Sequence, residues 1–199
     1  MTEKYKWWEK TVEYSFVRTI MNDNSIACPL AGKAEKWAGD LVESIENKFR
    51  LIEFKKDAGS IKDEDKKYGD GRTNYLVKFT DEIKNSNGAQ SHWLVFGELN
   101  TKLELKYRNY LANDGAESLS GTNDLCTSNL SDFKMYIDCL MELRGNSEGS
   151  FGGLVMADIG DGQSTVVELS EFIQLIPSLS IKLTQEKTLQ KTSSPKMGR

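Results

Sequence analysis

The residues of this chain whose types and spacing could do chemistry are Asp40, preceded by Gly39, and Glu53-Phe54-Lys55 thirteen residues further on. A hard divalent cation such as Mg²⁺ or Mn²⁺ takes oxygen ligands and keeps several waters, so two carboxylates from adjacent strands and one main-chain carbonyl suffice to hold it. Asp40, Glu53 and the carbonyl of Phe54 are such a set, and Lys55 would lie next to the metal. There the cation acidifies a bound water and polarises a phosphoryl oxygen, while the ammonium positions the water or stabilises charge gathering on the phosphate. A carboxylate on the first helix would complete the shell. Glu13 is favoured, because it sits beside Val12, Phe16 and Val17, where an acid is costly without a partner; Glu9, one turn earlier, is held in reserve. A plainer reading is a cross-strand ion pair in which Lys55 neutralises Glu53 or Asp40. Glu-x-Lys by itself carries little, since it recurs at Glu104-Leu105-Lys106.

Positioning falls to a helix and a set of strands. Tyr5 to Met21 places Trp8, Val12 and Phe16 on one stripe and Val17 and Ile20 on an adjoining one, which predicts a broad amphipathic helix, largely buried. Ile26 to Leu30 is compatible with a short strand. Asp40 to Glu46 and Phe49 to Lys55 read as two strands joined by a hairpin turn at Asn47-Lys48. The second carries apolar residues on both faces and should lie inside a sheet covered on both sides. Lys56 to Arg72 is dense in charge and reads as a surface loop with one short helix around Lys62 to Tyr68. Thr73 to Ser86 has helical spacing, with Asn87-Gly88 as its stop, and His92 to Leu99 and Leu103 to Tyr107 read as strands. Asn113 to Ser128 is a loop. A helix capped at Ser131-Asp132 runs to Gly145, followed by a strand from Leu154 to Ile159 and a short helix from Val166 to Ile176.

Helix, hairpin with Asp40, strand with Glu53-Phe54-Lys55, helix, strand: in that order the chain resembles the PD-(D/E)XK nuclease superfamily over residues 5 to 99, with Gly39-Asp40 where the family pattern has Pro-Asp. The resemblance implies an α/β, restriction-endonuclease-like αβββαβ core, a mixed central sheet flanked by helices, spanning residues 1–111. It is followed by a C-terminal α/β extension over 112–181 packed on that core, and a basic tail, 182–199, reads as disordered. It further implies Mg²⁺- or Mn²⁺-dependent hydrolysis of a nucleic-acid phosphodiester, DNA rather than RNA. Asp40 and Glu53 would be metal ligands, Lys55 would stand at the attacking water, and an acid on the first helix, Glu13 or Glu9, would be accessory. A second reading is a noncatalytic interaction module on the same scaffold, binding a protein partner through residues 112 to 180. A homodimer would suit cleavage of two strands, although no dimer face is marked.

Charge and composition weigh on these readings. The 199 residues hold 26 Lys and Arg against 30 Asp and Glu, a formal charge of −4, which is unlike a nonspecific DNA binder. Ten basic residues nevertheless fall between Lys33 and Arg72, around the presumed site. No apolar run approaches the ~18 residues of a membrane-spanning helix, and Met1 to Lys10 lacks the apolar middle of a secretory signal, so a cytoplasmic protein is expected. Cys28, Cys126 and Cys139 form no CxxC pair and read as free; with one histidine, His92, a zinc site of nitrogen and sulfur ligands has almost no material. His92 reads as structural. Trp7 and Trp8 could stack on bases, but packing of the first helix is the favoured reading. Gly152-Gly153 and Gly160-Asp161-Gly162 are turns without the phosphate-loop pattern, and Asp158 and Asp161 lack EF-hand spacing.

Overall fold

The computed structural model describes residues 7–21, 25–30, 39–45, 48–69, 73–145, 154–158 and 164–168. The tail from 182, the glycine turns at 152–153 and 160–162, and Asp161 lie outside them. Helix α1, Glu9–Thr19, buries Val12 and Phe16, with Ile20 following one turn on. The buried stripe is narrower than the periodicity predicts: Trp8 and Val17, expected on it, are exposed, as is Tyr14.

Strands β1 (Ser25–Pro29), β2 (Leu41–Ile45) and β3 (Lys48–Lys55) form an antiparallel run. Lys48 is already in β3 opposite Ile45, so it belongs to the ladder and not to the hairpin turn. A crossover then carries the chain to β4 (His92–Leu99), which pairs parallel to β3. Strands β5 (Leu103–Asn109) and β6 (Glu117–Ser118) add antiparallel, completing a six-stranded mixed sheet in the order β1-β2-β3-β4-β5-β6. Strand β6 falls in the stretch read as loop.

The crossover departs most from expectation. The short helix expected around Lys62 to Tyr68 is the second half of a longer 3₁₀ helix, Ala58–Tyr68, which is capped by the Asp57 carboxylate accepting from the Ser60 N–H at 3.0 Å and, unlike a surface loop, buries Ile61, Glu64 and Tyr68; residues 70–72 lie outside the described residues. The single helix predicted over Thr73 to Ser86 is broken into a 3₁₀ turn, Tyr75–Lys78, and α2, Asp81–Lys84, with α3, Asn87–Gln90, beyond it. Asn74, Thr80 and Ser86 each accept a main-chain N–H of the turn that follows them, so every piece starts on its own cap. Gly88 therefore opens a helix where the sequence suggested a stop. A Cβ there would lie 2.5 Å from the Asp132 carbonyl oxygen and closer still to Tyr136 Cβ, so glycine is what lets α3 rest on the next long helix.

That helix is α4, Leu130–Leu143, capped by the Asn129 side chain accepting from Asp132 N–H at 2.9 Å. Its Phe133, Ile137 and Leu140 share one core with Phe49 and Leu51 of β3, and Phe133 stacks on Phe49 at 5.5 Å. The opposite face of β3 presents Ile52 and Phe54 to Val12 and Phe16 of α1, the two phenyl rings meeting edge-on at 5.4 Å. Burying each such side chain contributes about 1.5–3 kcal/mol, so β3 is anchored from both sides, as its two-faced apolar pattern required. On the α1 face, cross-strand partners Glu43 and Arg50 form a fully buried ion pair at 2.6 Å, and Arg50 also donates to the Leu125 carbonyl at 3.0 Å. Strands β7 (Leu154–Asp158) and β8 (Ser164–Glu168) make a separate antiparallel pair. The helix predicted from Val166 thus begins as strand, its β-branched Val166 and Val167 pairing with Met156 and Val155; residues 169–176 lie outside the described residues. All three cysteines are free. Among the described residues no helix is long and apolar enough to cross a membrane.

Candidate active site

Asp40 stands one residue before β2, and its N–H donates to the Ile52 carbonyl at 3.1 Å. Because Leu41 pairs with Ile52, the ladder continued by one step sets Asp40 opposite Glu53, on the face shared with Leu51 and Lys55. Asp40 Oδ2 accepts the Phe54 N–H at 2.6 Å. Gly39 lies close against β3: a Cβ there would come within 3.0 Å of Leu51 and 3.5 Å of Glu53 Oε2, which explains a glycine at this position.

Glu53 is fully buried. Its Oε1 takes the ammonium groups of Lys55, at 2.9 Å, and Lys67. Its Oε2 is buried and has no hydrogen-bond partner among the described residues. Lys55 Nζ also reaches the Phe54 carbonyl and Glu64 Oε1, each at 2.9 Å. Lys67 Nζ lies 3.2 Å from the same Glu64 oxygen, so two carboxylates and two ammonium groups alternate around a closed ring. Behind it, Glu64 Oε2 accepts the Tyr110 hydroxyl at 2.6 Å and faces Arg144 at 3.5 Å. Arg144, the residue closing α4, donates to the hydroxyls of Tyr68 at 2.9 Å and Tyr110 at 2.8 Å.

Burial dominates the electrostatics, and neighbouring charges decide its outcome. Burial and the charge of Glu53 push Asp40 well above the usual carboxylate range, with Lys67, Lys55 and the Phe54 N–H opposing. For Glu53 burial also pushes upward, but Lys67, Lys55 and Arg144 outweigh it and hold the carboxyl low. Burial would lower Lys55, yet Glu53, Glu64 and Asp40 raise it, so it is a fixed cation.

The helix acid that senses this cluster is Glu9. Partial desolvation raises it, with Lys55 and Lys67 opposing and Glu53 and Glu64 reinforcing. Glu13, favoured from the sequence, instead pairs with Lys10 at 2.5 Å. The reason is the anchoring of the helix: the Trp7 indole N–H donates to the Lys56 carbonyl at 2.7 Å, one residue past Lys55, so the first turn of α1 meets the end of β3 and Glu13 falls one turn further along. Trp7 is thus a packing residue, whereas Trp8, with 70% of its surface exposed, packs on little. His92 is buried, with Nδ1 bonded to the Tyr136 hydroxyl at 2.8 Å and its ring stacked on Tyr110 at 3.8 Å; burial and Arg144 hold it well below the usual imidazole range, so it is neutral and structural.

Among the described residues no three His, Cys, Asp or Glu side chains gather as a metal-holding group. A single hard cation fits what is there, on two carboxylates: Asp40 faces Glu53, and Glu53 keeps one buried oxygen with no donor among the described residues. The Phe54 carbonyl already accepts from Lys55. Glu64, Lys67, Tyr68, Tyr110 and Arg144 were not singled out from the sequence. One signal was available: Ile61, Glu64 and Tyr68 are spaced by three and four, an acid on an apolar stripe, the same argument that favoured Glu13. Comparison with protein-family models, with curated proteins and with solved structures returned no match for this chain.

Proposed function

We propose that this chain is a divalent-cation-dependent nuclease that hydrolyses DNA phosphodiester bonds, built on a PD-(D/E)XK-like core. One observation carries the reading: Asp40, just before β2, lies opposite Glu53 near the end of β3, with Lys55 beside them and a buried Glu53 oxygen that has no donor among the described residues. Topology supports it, since a helix, three antiparallel strands, a helical crossover and a parallel fourth strand follow in the order the sequence suggested.

In this reading Asp40 and Glu53 would hold the cation, which when bound would supply an acidified water and polarise the scissile phosphate. Lys55, clamped by Glu53, Glu64 and the Phe54 carbonyl, presents a fixed positive charge where negative charge develops on phosphorus oxygens. Glu9 orients a water at the mouth of the site. Exposed Lys62 and Lys66, on the 3₁₀ helix beside the cluster, contact flanking phosphates. DNA as substrate rests on the family resemblance.

The test is incubation of purified protein with labelled duplex and single-stranded DNA, and with RNA, in Mg²⁺, Mn²⁺ or chelator, wild type beside Lys55→Ala and Asp40→Asn. Metal-dependent cleavage lost in both variants establishes the site. A noncatalytic interaction module is favoured by one feature, the ring in which two lysines already balance Glu53 and Glu64. It predicts no cleavage and no rise in melting temperature with either cation.

A further inference from the structure

Lys55 and Lys67 duplicate one another. Both approach Glu53 Oε1 and both approach Glu64 Oε1, so either ammonium alone would bridge the two carboxylates. They differ in everything else. Lys55 sits on the central strand β3, its side chain 8% exposed, and has a third partner in the Phe54 carbonyl. Lys67 comes from the last turn of a 3₁₀ helix, its side chain is 22% exposed, and among the described residues its ammonium reaches these two carboxylates. A 3₁₀ helix has poorer hydrogen-bond geometry than an α-helix, and a lysine has four rotatable carbons of reach, so this ammonium can swing outward while Lys55 cannot.

Charge points the same way. A divalent cation on Glu53 would bring positive charge to a carboxylate whose Oε1 is already shared by two ammonium groups, and of those two Lys67 is the one with the more exposed side chain. We propose that Lys67 is the exchangeable counter-ion of this site: it occupies the Glu53 and Glu64 carboxylates until a divalent cation takes Glu53, and then turns outward to bind a phosphate of the nucleic acid. The inference rests on the nuclease reading and adds to it the order of events, in which cation binding releases the group that receives the substrate.

The experiment is calorimetric titration of Mn²⁺ into the full chain, wild type beside Lys67→Met and Lys67→Arg, followed by anisotropy of a labelled duplex with each protein in Ca²⁺, a hard cation of the same ligand preference. Lys67→Met should bind Mn²⁺ about tenfold more tightly, the factor expected when a binding-competent state populated at about a tenth becomes dominant. The same variant should bind duplex several-fold more weakly, with Lys67→Arg restoring duplex binding. A lysine with a purely structural role would not improve metal affinity on removal. Lys67→Gln, which keeps a donor for Glu53 and Glu64 but not the charge, replaces the methionine variant if that one fails to fold. Equal or weaker Mn²⁺ binding by the variant, with the wild type binding, overturns the counter-ion role and leaves the nuclease reading standing. Mn²⁺ heat seen only in the variant supports the role, and absence of Mn²⁺ binding in every protein overturns both.

Discussion

Removing Glu43 alone should unfold the protein far more readily than removing Glu43 and Arg50 together. The two charges lie 2.6 Å apart and both are fully buried, so at an effective dielectric of about 20 their attraction is about 6 kcal/mol. Desolvating two ions costs several kcal/mol each, which roughly cancels that attraction. Glu43→Leu leaves the guanidinium buried without its carboxylate, and losses of about 3–5 kcal/mol are typical of such breakage. For a chain of this size that lowers the melting temperature by roughly 6–20 °C. Glu43→Leu with Arg50→Met removes both charges and keeps the volume apolar, and should return to within about 1 kcal/mol of wild type. Thermal and urea melts of the four proteins close the cycle. The reasoning is refuted if Glu43→Leu costs less than about 1 kcal/mol, or if the double variant is as unstable as the sum of the two singles.

Other perturbations separate the elements of the site from those of the core. Glu9→Gln should lower Mn²⁺-dependent cleavage on the order of 10- to 100-fold, while Glu13→Gln leaves it within about twofold; equal effects would dissolve the distinction between them. Buried His92 takes up a proton less readily folded than unfolded, so the unfolded state binds more protons below the ordinary value of 6.5. Stability at this group is therefore full above that pH and falls by about 1.4 kcal/mol per pH unit below it, a slope that His92→Phe should remove from urea melts at pH 7.5 and 5.5. Gly88→Ala forces a Cβ into Tyr136 and the Asp132 carbonyl and should cost about 1–3 kcal/mol in the same melts. Trp8→Ala should change stability by less than about 0.5 kcal/mol yet weaken binding of single-stranded DNA measured in Ca²⁺, whereas unchanged binding would assign Trp8 no part in stacking.

The strands were legible because their apolar residues repeat on the period of two. Phe49, Leu51, Ile52 and Phe54 alone require a strand covered on both faces, and the core provides α4 on one side and α1 on the other. Register was harder to read. With Lys48 in the ladder, Asp40 falls opposite Glu53; had the turn lain at Asn47-Lys48, Asp40 would have faced Lys55. A single residue of turn placement decides which partner the acid meets. The crossover was misread because its charges suggested solvent. Glu64 and Lys67 are buried or half-buried only because they neutralise residues nine and fourteen positions away, a compensation no local pattern expresses. Arg144 lay further out of reach, since nothing near the end of α4 marks it as the neighbour of Tyr68 and Tyr110.

Arg144 also bears on where this molecule can be divided. It arrives from beyond residue 111, yet its guanidinium sits over the Tyr68 and Tyr110 rings at 5.0 and 5.7 Å and helps balance the carboxylates of the site. A fragment ending at residue 111 would keep Asp40, Glu53 and Lys55 in sequence while losing the helix that roofs Phe49 and Leu51 and the cation behind Glu64. The surroundings of the candidate site and the packing of α4 are therefore tied together. Detachment of α4, by cleavage or by local unfolding, would take away Arg144 and the cover over Phe49 and Leu51 while leaving Asp40, Glu53 and Lys55 in the chain.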